Sequence, residues 1–228
     1  MPTFHSSVAT FQDNSTHGED SYLIRDLGND NFLDAVMDGV TGHGGEEASQ
    51  SVLEALSAAT LASPEDVVAV LEEINQEFFQ VGGGRFLLTT VSVALYLDGH
   101  LHVISAGDSP VYVINANSHQ QLSGRVGGFL HVGVAQAIGA TDGLKNLRRV
   151  EADIEPGTRL ILATDGVSDN LTVAELVESV RNSSTPDDAS QRINDAVAAR
   201  IEEGVLPEAL GGRFRHDDRT AIFRFFGS

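Results

Sequence analysis

Apolar and polar positions alternate with two different periods along this chain of 228 residues. Phe4 to Phe11, Ser21 to Asp26 and Asn31 to Met37 are apolar or β-branched runs set between Gly, Asn and Asp turn signals, and are predicted as short strands. From Glu46 to Leu61 the period lengthens, with Ala48, Val52, Ala55, Leu56 and Ala59 at helical spacing. Ser63-Pro64 ends that helix and opens a second, which runs to about Val81 with Val67, Val70, Leu71, Ile74 and Phe78 on one stripe. Thr89 to Leu97 and His100 to Ala106 flank Asp98-Gly99, a strong hairpin signal, and Val111 to Ile114 follows as a strand. Arg148 to Ile154 and Arg159 to Thr164 are strands joined by the turn Glu155-Pro156-Gly157-Thr158. Thr172 to Arg181 and Pro186 to Glu203 are helices, the first opened by a capping box of Thr172 and Glu175, and Thr220 to Phe226 is a closing strand.

Strands grouped with strands, and helices grouped in pairs, predict an α+β fold with helix pairs outside largely antiparallel sheet rather than a parallel nucleotide-binding sheet. Gly124 to Gly143 is rich in glycine and weakly periodic, and is expected to be a short flap. The whole of residues 1–228 is expected to form one domain, long enough to bury a substantial core.

Charge narrows the partners. Lys and Arg number 14 against 33 for Asp and Glu, a net charge of -19. Nucleic acid is excluded as a partner, because affinity for phosphate backbones comes from basic side chains that release counterions, and anionic membrane surfaces are disfavoured for the same reason. The chain has no cysteine, which removes disulfides, thiol nucleophiles and thiolate metal sites. No basic and apolar leader opens it and no apolar run approaches a bilayer span, so a cytoplasmic protein is expected, taken to be a monomer.

The acidic residues are not scattered. Gly18-Glu19-Asp20, Met37-Asp38-Gly39, Thr164-Asp165-Gly166 and His216-Asp217-Asp218 fall beside strand ends. Asp38 and Asp165 each end an apolar run and each precede glycine, so a strand holds the carboxylate while glycine admits a carbonyl or ligand close by. Singly, each Asp-Gly is an ordinary turn dipeptide, as Asp98-Gly99 is, and Glu19-Asp20 is a solvated pair. Together, four such groups converging without a cation would repel one another. A divalent ion resolves this, and an all-oxygen set favours Mg²⁺ or Mn²⁺ over zinc.

These motifs, in this order, resemble the bacterial branch of the metal-dependent protein serine/threonine phosphatases, the PPM or type 2C family. Glu19-Asp20-Ser21 resembles its first acidic motif, and Val36-Met37-Asp38-Gly39 with Gly42-His43-Gly44-Gly45-Glu46-Glu47-Ala48-Ser49 the second. Thr89-Thr90, Ala106-Gly107-Asp108-Ser109, Leu162-Ala163-Thr164-Asp165-Gly166-Val167-Ser168-Asp169 and Asp217-Asp218-Arg219-Thr220 resemble the rest. The resemblance implies a four-layer α-β-β-α sandwich with two Mn²⁺ or Mg²⁺ ions at one end of the sheets. It implies that Asp38 bridges both ions, that the Gly39 carbonyl serves one, that Asp165 and Asp217 hold the other, and that Glu19 and Asp20 act through bound water. Asp217 and Asp218 compete for one of these roles, and alignment with the family's Asp-Asn-x-Thr favours Asp217. Asp169 matches one ligand of a third ion that some members bind. Two metals can activate water for in-line phosphoryl transfer without a phosphoenzyme. His43 either protonates the leaving oxygen or caps the following helix. His17 and His216 adjoin acidic motifs, though a surface histidine beside a turn is the plainer reading of each.

The chain departs from the family in three places. Members usually carry an arginine that contacts substrate phosphate where this chain has Ser15, which leaves His17, Arg85, Arg213 and Arg215 as candidate phosphate contacts. The glycine before the paired threonines is Leu88, and the flap aspartate used for a third ion has no counterpart near Gly124. The expected activity is hydrolysis of phosphoserine or phosphothreonine in a phosphoprotein, with basic residues flanking the target to offset the net negative charge. The alternatives are a catalytically weak regulatory or binding module on the same fold, and a phosphomonoesterase for small molecules.

Overall fold

The computed structural model describes residues 5–124, 136–145, 147–204, 210 and 216–227. Among the described residues, ten strands form two antiparallel sheets of five. One contains β1 (Ser6–Asp13), β10 (Arg219–Phe226), β9 (Arg159–Ala163), β6 (Val111–Ile114) and β7 (His119–Gln121), in that spatial order. The other runs β2 (Asp20–Gly28), β3 (Asn31–Asp38), β4 (Val91–Leu97), β5 (His100–Ala106) and β8 (Arg148–Asp153). Helices α1 (Gly45–Ala58) and α2 (Pro64–Gly82) cover the second sheet, while α4 (Val173–Arg181) and α5 (Pro186–Glu203) cover the first. A single turn, α3 (Asp165–Ser168), follows β9.

The layers follow from strand periodicity. On β3, Leu33, Ala35 and Met37 pack against α1 and α2, while Phe32 and Val36 point to the opposite sheet. On β10, Ala221, Phe223 and Phe225 pack under α4 and α5, while Ile222 and Phe226 face β3 and β4. A strand buried on both faces must be apolar at every position, and that is why these two read as continuous apolar runs. Asp34 and Arg224 are the exceptions. They take inward positions on facing sheets and meet there as a bidentate pair at 2.6 and 2.7 Å, with the guanidinium 3.8 Å from the centre of the Phe32 ring.

Local chemistry sets the helix ends. Ser63 and Asp66 form a capping box with Pro64 in the first turn of α2, and Gly83 ends that helix in the left-handed region. Thr172 and Glu175 cap α4 as predicted. The tight Asp98-Gly99 turn has both residues at positive φ, joining β4 to β5. Helix α1 stops at Ala58, three residues before Leu61, because Ala59 turns extended to begin the crossing to α2. Strand β7 and the turn α3 were not expected: β7 is three polar residues paired to β6 alone, too short for periodicity to show. Of the expected flap, 125–135 lie outside the described residues. Ile138 returns to the fold and pairs with Thr89.

Candidate active site

Strand register brings the acidic motifs to one end of the sandwich. Asp20 opens β2 directly across from Asp38, which closes β3. The Asp38 carbonyl accepts from the Thr90 amide at 2.8 Å and the Thr89 hydroxyl at 3.0 Å, so the two residues leading into β4 fix the backbone beneath the carboxylate. From the other sheet, Asp165 begins the turn after β9, and Asp217 and Asp218 lead into β10. Thr164 ties the sheets together: its hydroxyl donates to Asp20 Oδ2 at 2.8 Å and accepts from the Thr220 amide at 3.0 Å.

Three glycines make this convergence possible. A Cβ on Gly39 would lie 2.4 Å from the Gly45 backbone, one on Gly45 would lie 2.5 Å from Gly39, and one on Gly166 would lie 1.9 Å from the Asp218 carbonyl. Backbone packs against backbone at each point, which no other residue permits. The glycine signal of the sequence thus marks close approach as well as turns.

The two neighbouring aspartates have different tasks. Asp218 is buried, and its carboxylate accepts the backbone amides of Thr16 at 3.1 Å, His17 at 2.9 Å and Glu19 at 2.7 Å, so it anchors the β1–β2 turn. Asp217 is partly exposed and takes the His17 Nδ1 hydrogen at 3.1 Å together with the Asp218 amide. The turn thus takes three backbone amides on Asp218, on both of its oxygens, while both bonds to Asp217 fall on Oδ1. Glu19 accepts from the Thr41 hydroxyl, and its backbone carbonyl accepts from the Gly39 amide at 3.1 Å. Asp169 is buried one turn beyond Asp165, its amide bonded to the Asp165 carbonyl at 2.7 Å.

Electrostatics show the cost of this gathering. Burial pushes Asp20 up to about 8, against hydrogen bonds from Thr220 and Thr164 and with the charges of Asp218 and Asp165 adding to it. Burial also raises Asp38 well above the carboxylate range, and Asp165, Asp20, Asp108 and Asp217 raise it further. Asp108 was read as part of a sheet motif but not as a site residue. The available signal was an acid just past a strand end beside glycine, here with glycine first.

His43 lies in the loop between β3 and α1. It does not cap the helix: the capping residue is Gly44, in the left-handed region, with no side-chain cap bond. Instead His43 Nδ1 donates to the Arg85 carbonyl at 2.7 Å. A carbonyl only accepts, so this contact fixes the hydrogen on Nδ1 and leaves Nε2 as the ring nitrogen outside that bond. Ser15 is exposed, and its amide donates to Asp13. His216 is exposed beside Asp217 in sequence, and Arg213 and Arg215 lie outside the described residues.

The residues fit a divalent ion in donor chemistry. Asp20, Asp38, Asp108, Asp165 and Asp217 supply only oxygen, and the nearby Arg219 is committed to Asp13 at 2.7 Å. Among the described residues no group of three His, Asp or Glu side chains is placed to hold a metal ion as the side chains stand. An ion here would take water as well as carboxylate oxygen, as Mg²⁺ usually does. Beside Asp20 a cavity of about 560 Å³ opens between the β1–β2 edge and α1, with Gln12, Asn14, Tyr22, Glu46, Glu47 and Gln50 in its walls.

Comparison with known proteins agrees with this geometry. The family model described as Stage II sporulation protein E (SpoIIE) matches residues 30–223. The chain belongs to this family. Its fold is that of solved bacterial serine/threonine phosphatases. No curated protein matches it in sequence. Among solved structures, PppA of Pseudomonas aeruginosa, described as a key regulatory component of its T6SS, is 20% identical with a TM-score of 0.79, over 97% of this chain and 98% of that one. The serine/threonine phosphatase Stp1 of Staphylococcus aureus is 18% identical with a TM-score of 0.76, over 98% and 95%. The catalytic domain of the serine threonine protein phosphatase PstP, in complex with two manganese ions, is 19% identical with a TM-score of 0.73, over 99% and 100%. The four-layer sandwich of these solved structures is thus the fold of this chain.

Proposed function

We propose that the chain is a Mn²⁺- or Mg²⁺-dependent phosphatase that hydrolyses phosphoserine and phosphothreonine. The observation that carries this reading is the convergence of Asp20, Asp38, Asp108, Asp165 and Asp217 at one end of two sheets, where the other four raise the proton affinity of Asp38. A fold tolerates such a cluster when a cation offsets it, and the two manganese ions of PstP support a pair here. Asp38, the Gly39 carbonyl, Asp165 and Asp217 would hold the ions, with Glu19 and Asp20 through water. Bound divalent ions supply a more acidic water and neutralise charge on the phosphoryl oxygens.

The protein's own groups do the rest. Water attacks phosphorus in line, the P–O ester bond breaks, and the leaving seryl or threonyl oxygen takes a proton from Nε2 of protonated His43, while the Arg85 carbonyl keeps Nδ1–H in place. Thr164 and the paired backbones at Gly39 and Gly166 keep the carboxylates from spreading. The partner is a phosphoprotein, favoured when basic residues flank its target, and the protein acts as a monomer.

The test is phosphate release from a phosphothreonine peptide by metal-stripped protein titrated with Mn²⁺ and Mg²⁺, beside Asp38→Ala and Asp165→Ala. The expected result is metal-restored turnover that both substitutions abolish. Faster turnover of sugar or nucleotide phosphates would move the assignment to a small-molecule phosphomonoesterase. Metal binding without hydrolysis of any ester would make the chain a binding module.

A further inference from the structure

Building on the phosphatase reading, we propose that the Arg85 side chain is the phosphate-contacting cation of this site, in the role left open by Ser15. A phosphoryl dianion has to approach at least five carboxylates, so a guanidinium at the rim matters for ground-state binding. The β1–β2 turn does not supply one: Ser15 is exposed and bonded to Asp13, and the amides of Thr16 and His17 serve Asp218. The arginines near this end are mostly committed. Arg219 binds Asp13, Arg25 donates to the carbonyls of Leu56 and Ala59, and Arg224 is locked on Asp34.

Among the described arginines only Arg85 and Arg148 hold no side-chain partner. Arg148 sits on β8, the edge strand, with β5 and β4 between it and β3. Arg85 sits on the loop from α2 to β4, which is bonded to the segment carrying Asp38 and His43. Besides the His43 contact, the Val40 amide donates to the Leu88 carbonyl at 2.9 Å and the Leu88 amide donates to the His43 carbonyl at 3.2 Å.

The loop's path is well determined. Phe86 lies over Gly44, where a Cβ would come within 2.9 Å of its ring. Gly84, at φ +77°, is packed so closely on Ala140 that a Cβ would lie 2.6 Å from its carbonyl oxygen. Leu87 is buried at φ +56°, in the left-handed region, so its backbone is held there by surrounding packing. One preorganised loop therefore serves the site twice. Its backbone sets the histidine tautomer, and its exposed guanidinium offers a planar fork suited to two phosphoryl oxygens.

The histidine contact comes from the Arg85 backbone, so substituting its side chain leaves that contact in place and isolates the cation. The experiment uses the full chain loaded with Mn²⁺. Inorganic phosphate affinity is measured by calorimetry, and KM and kcat on a phosphothreonine peptide are measured in parallel. Arg85→Ala is expected to weaken phosphate about tenfold and raise KM by a similar factor, with Mn²⁺ affinity unchanged and kcat less affected. Arg85→Lys should recover part of the loss, Ser15→Arg in the Arg85→Ala background should recover more, and Arg148→Ala should match the parent. Unchanged phosphate affinity in Arg85→Ala, an equal loss in Arg148→Ala, or a parent protein that binds no phosphate would each overturn the proposal. Phosphate binding through Arg85 without ester hydrolysis would sink the phosphatase reading alone.

Discussion

Asp34 and Arg224 illustrate how a single pair can sit against the grain of a core. Asp34 is fully buried and Arg224 nearly so, in the layer between the sheets. Burial raises Asp34 above the ordinary carboxylate range, and the two hydrogen bonds from Arg224 act in the other direction. The bidentate geometry, the extra bond from Arg224 to Ser6 at 2.9 Å and the ring of Phe32 satisfy most of the guanidinium. Removing one partner leaves the other charged in an apolar layer. Asp34→Ala is therefore expected to cost about 3–5 kcal/mol in urea unfolding, whereas Asp34→Leu with Arg224→Met should be close to neutral. A double variant as unstable as the single one would show that the pair does more than cancel its own burial.

Among the elements, those at the rim of the site are defined by their ends. Helix α2 begins with the Ser63–Asp66 box and finishes at Gly83, so its length decides where the Arg85 loop starts. Helix α4 begins with the equivalent box at Thr172, and Glu175 also binds Arg200 of α5 at 2.6 Å. Ser63→Ala and Thr172→Ala should each lose about 1 kcal/mol in chemical unfolding, with phosphopeptide KM unchanged for Thr172→Ala, which is outside the site. A loss below a few tenths would mean that tertiary packing, rather than the cap, holds these helices. The Thr172 box was legible because capping is local chemistry, and Ser63-Pro64 marked the start of α2 without the Asp66 half of its box. Strand β7 and the turn α3 were not, because three or four residues carry no period and their structure comes from the neighbours they pair with.

For the whole molecule, the carboxylate cluster couples stability to pH. A carboxyl whose folded pKa lies above its unfolded one binds its proton more tightly in the native state, so stability is greatest at low pH and is lost as pH rises through the folded value. With Asp20 near 8 and Asp38 also raised, the metal-free protein should lose several degrees of Tm between about pH 5 and about pH 8. Saturating Mn²⁺ should remove most of that slope, and Asp38→Asn should lessen it without metal while abolishing the Mn²⁺ effect. A flat metal-free profile would mean that the carboxylates separate or hydrate in solution. The net charge of -19 acts at longer range. At low salt kcat/KM should be higher for a phosphopeptide with basic flanks than for an acidic one, and the gap should narrow as salt screens the field. Equal rates for the two at low salt would refute that preference.

The acidic residues that gather at one end of the sandwich, Asp108 apart, and the strands that carry them, were legible in the linear order. Two-residue and 3.6-residue periods express burial directly, and Asp38-Gly39 and Asp165-Gly166 each stand at the end of an apolar run. The Thr172–Glu175 cap and the Asp98-Gly99 turn were legible for the same reason, since their partners lie within a few residues. Tertiary structure alone decided what depends on distant partners. It decided that Asp218 anchors a turn near residue 17 while Asp217 meets the His17 ring, that Asp108 joins the cluster, and that His43 meets the Arg85 carbonyl rather than capping α1. These contacts span tens to about two hundred residues, and no local pattern encodes the register that closes them.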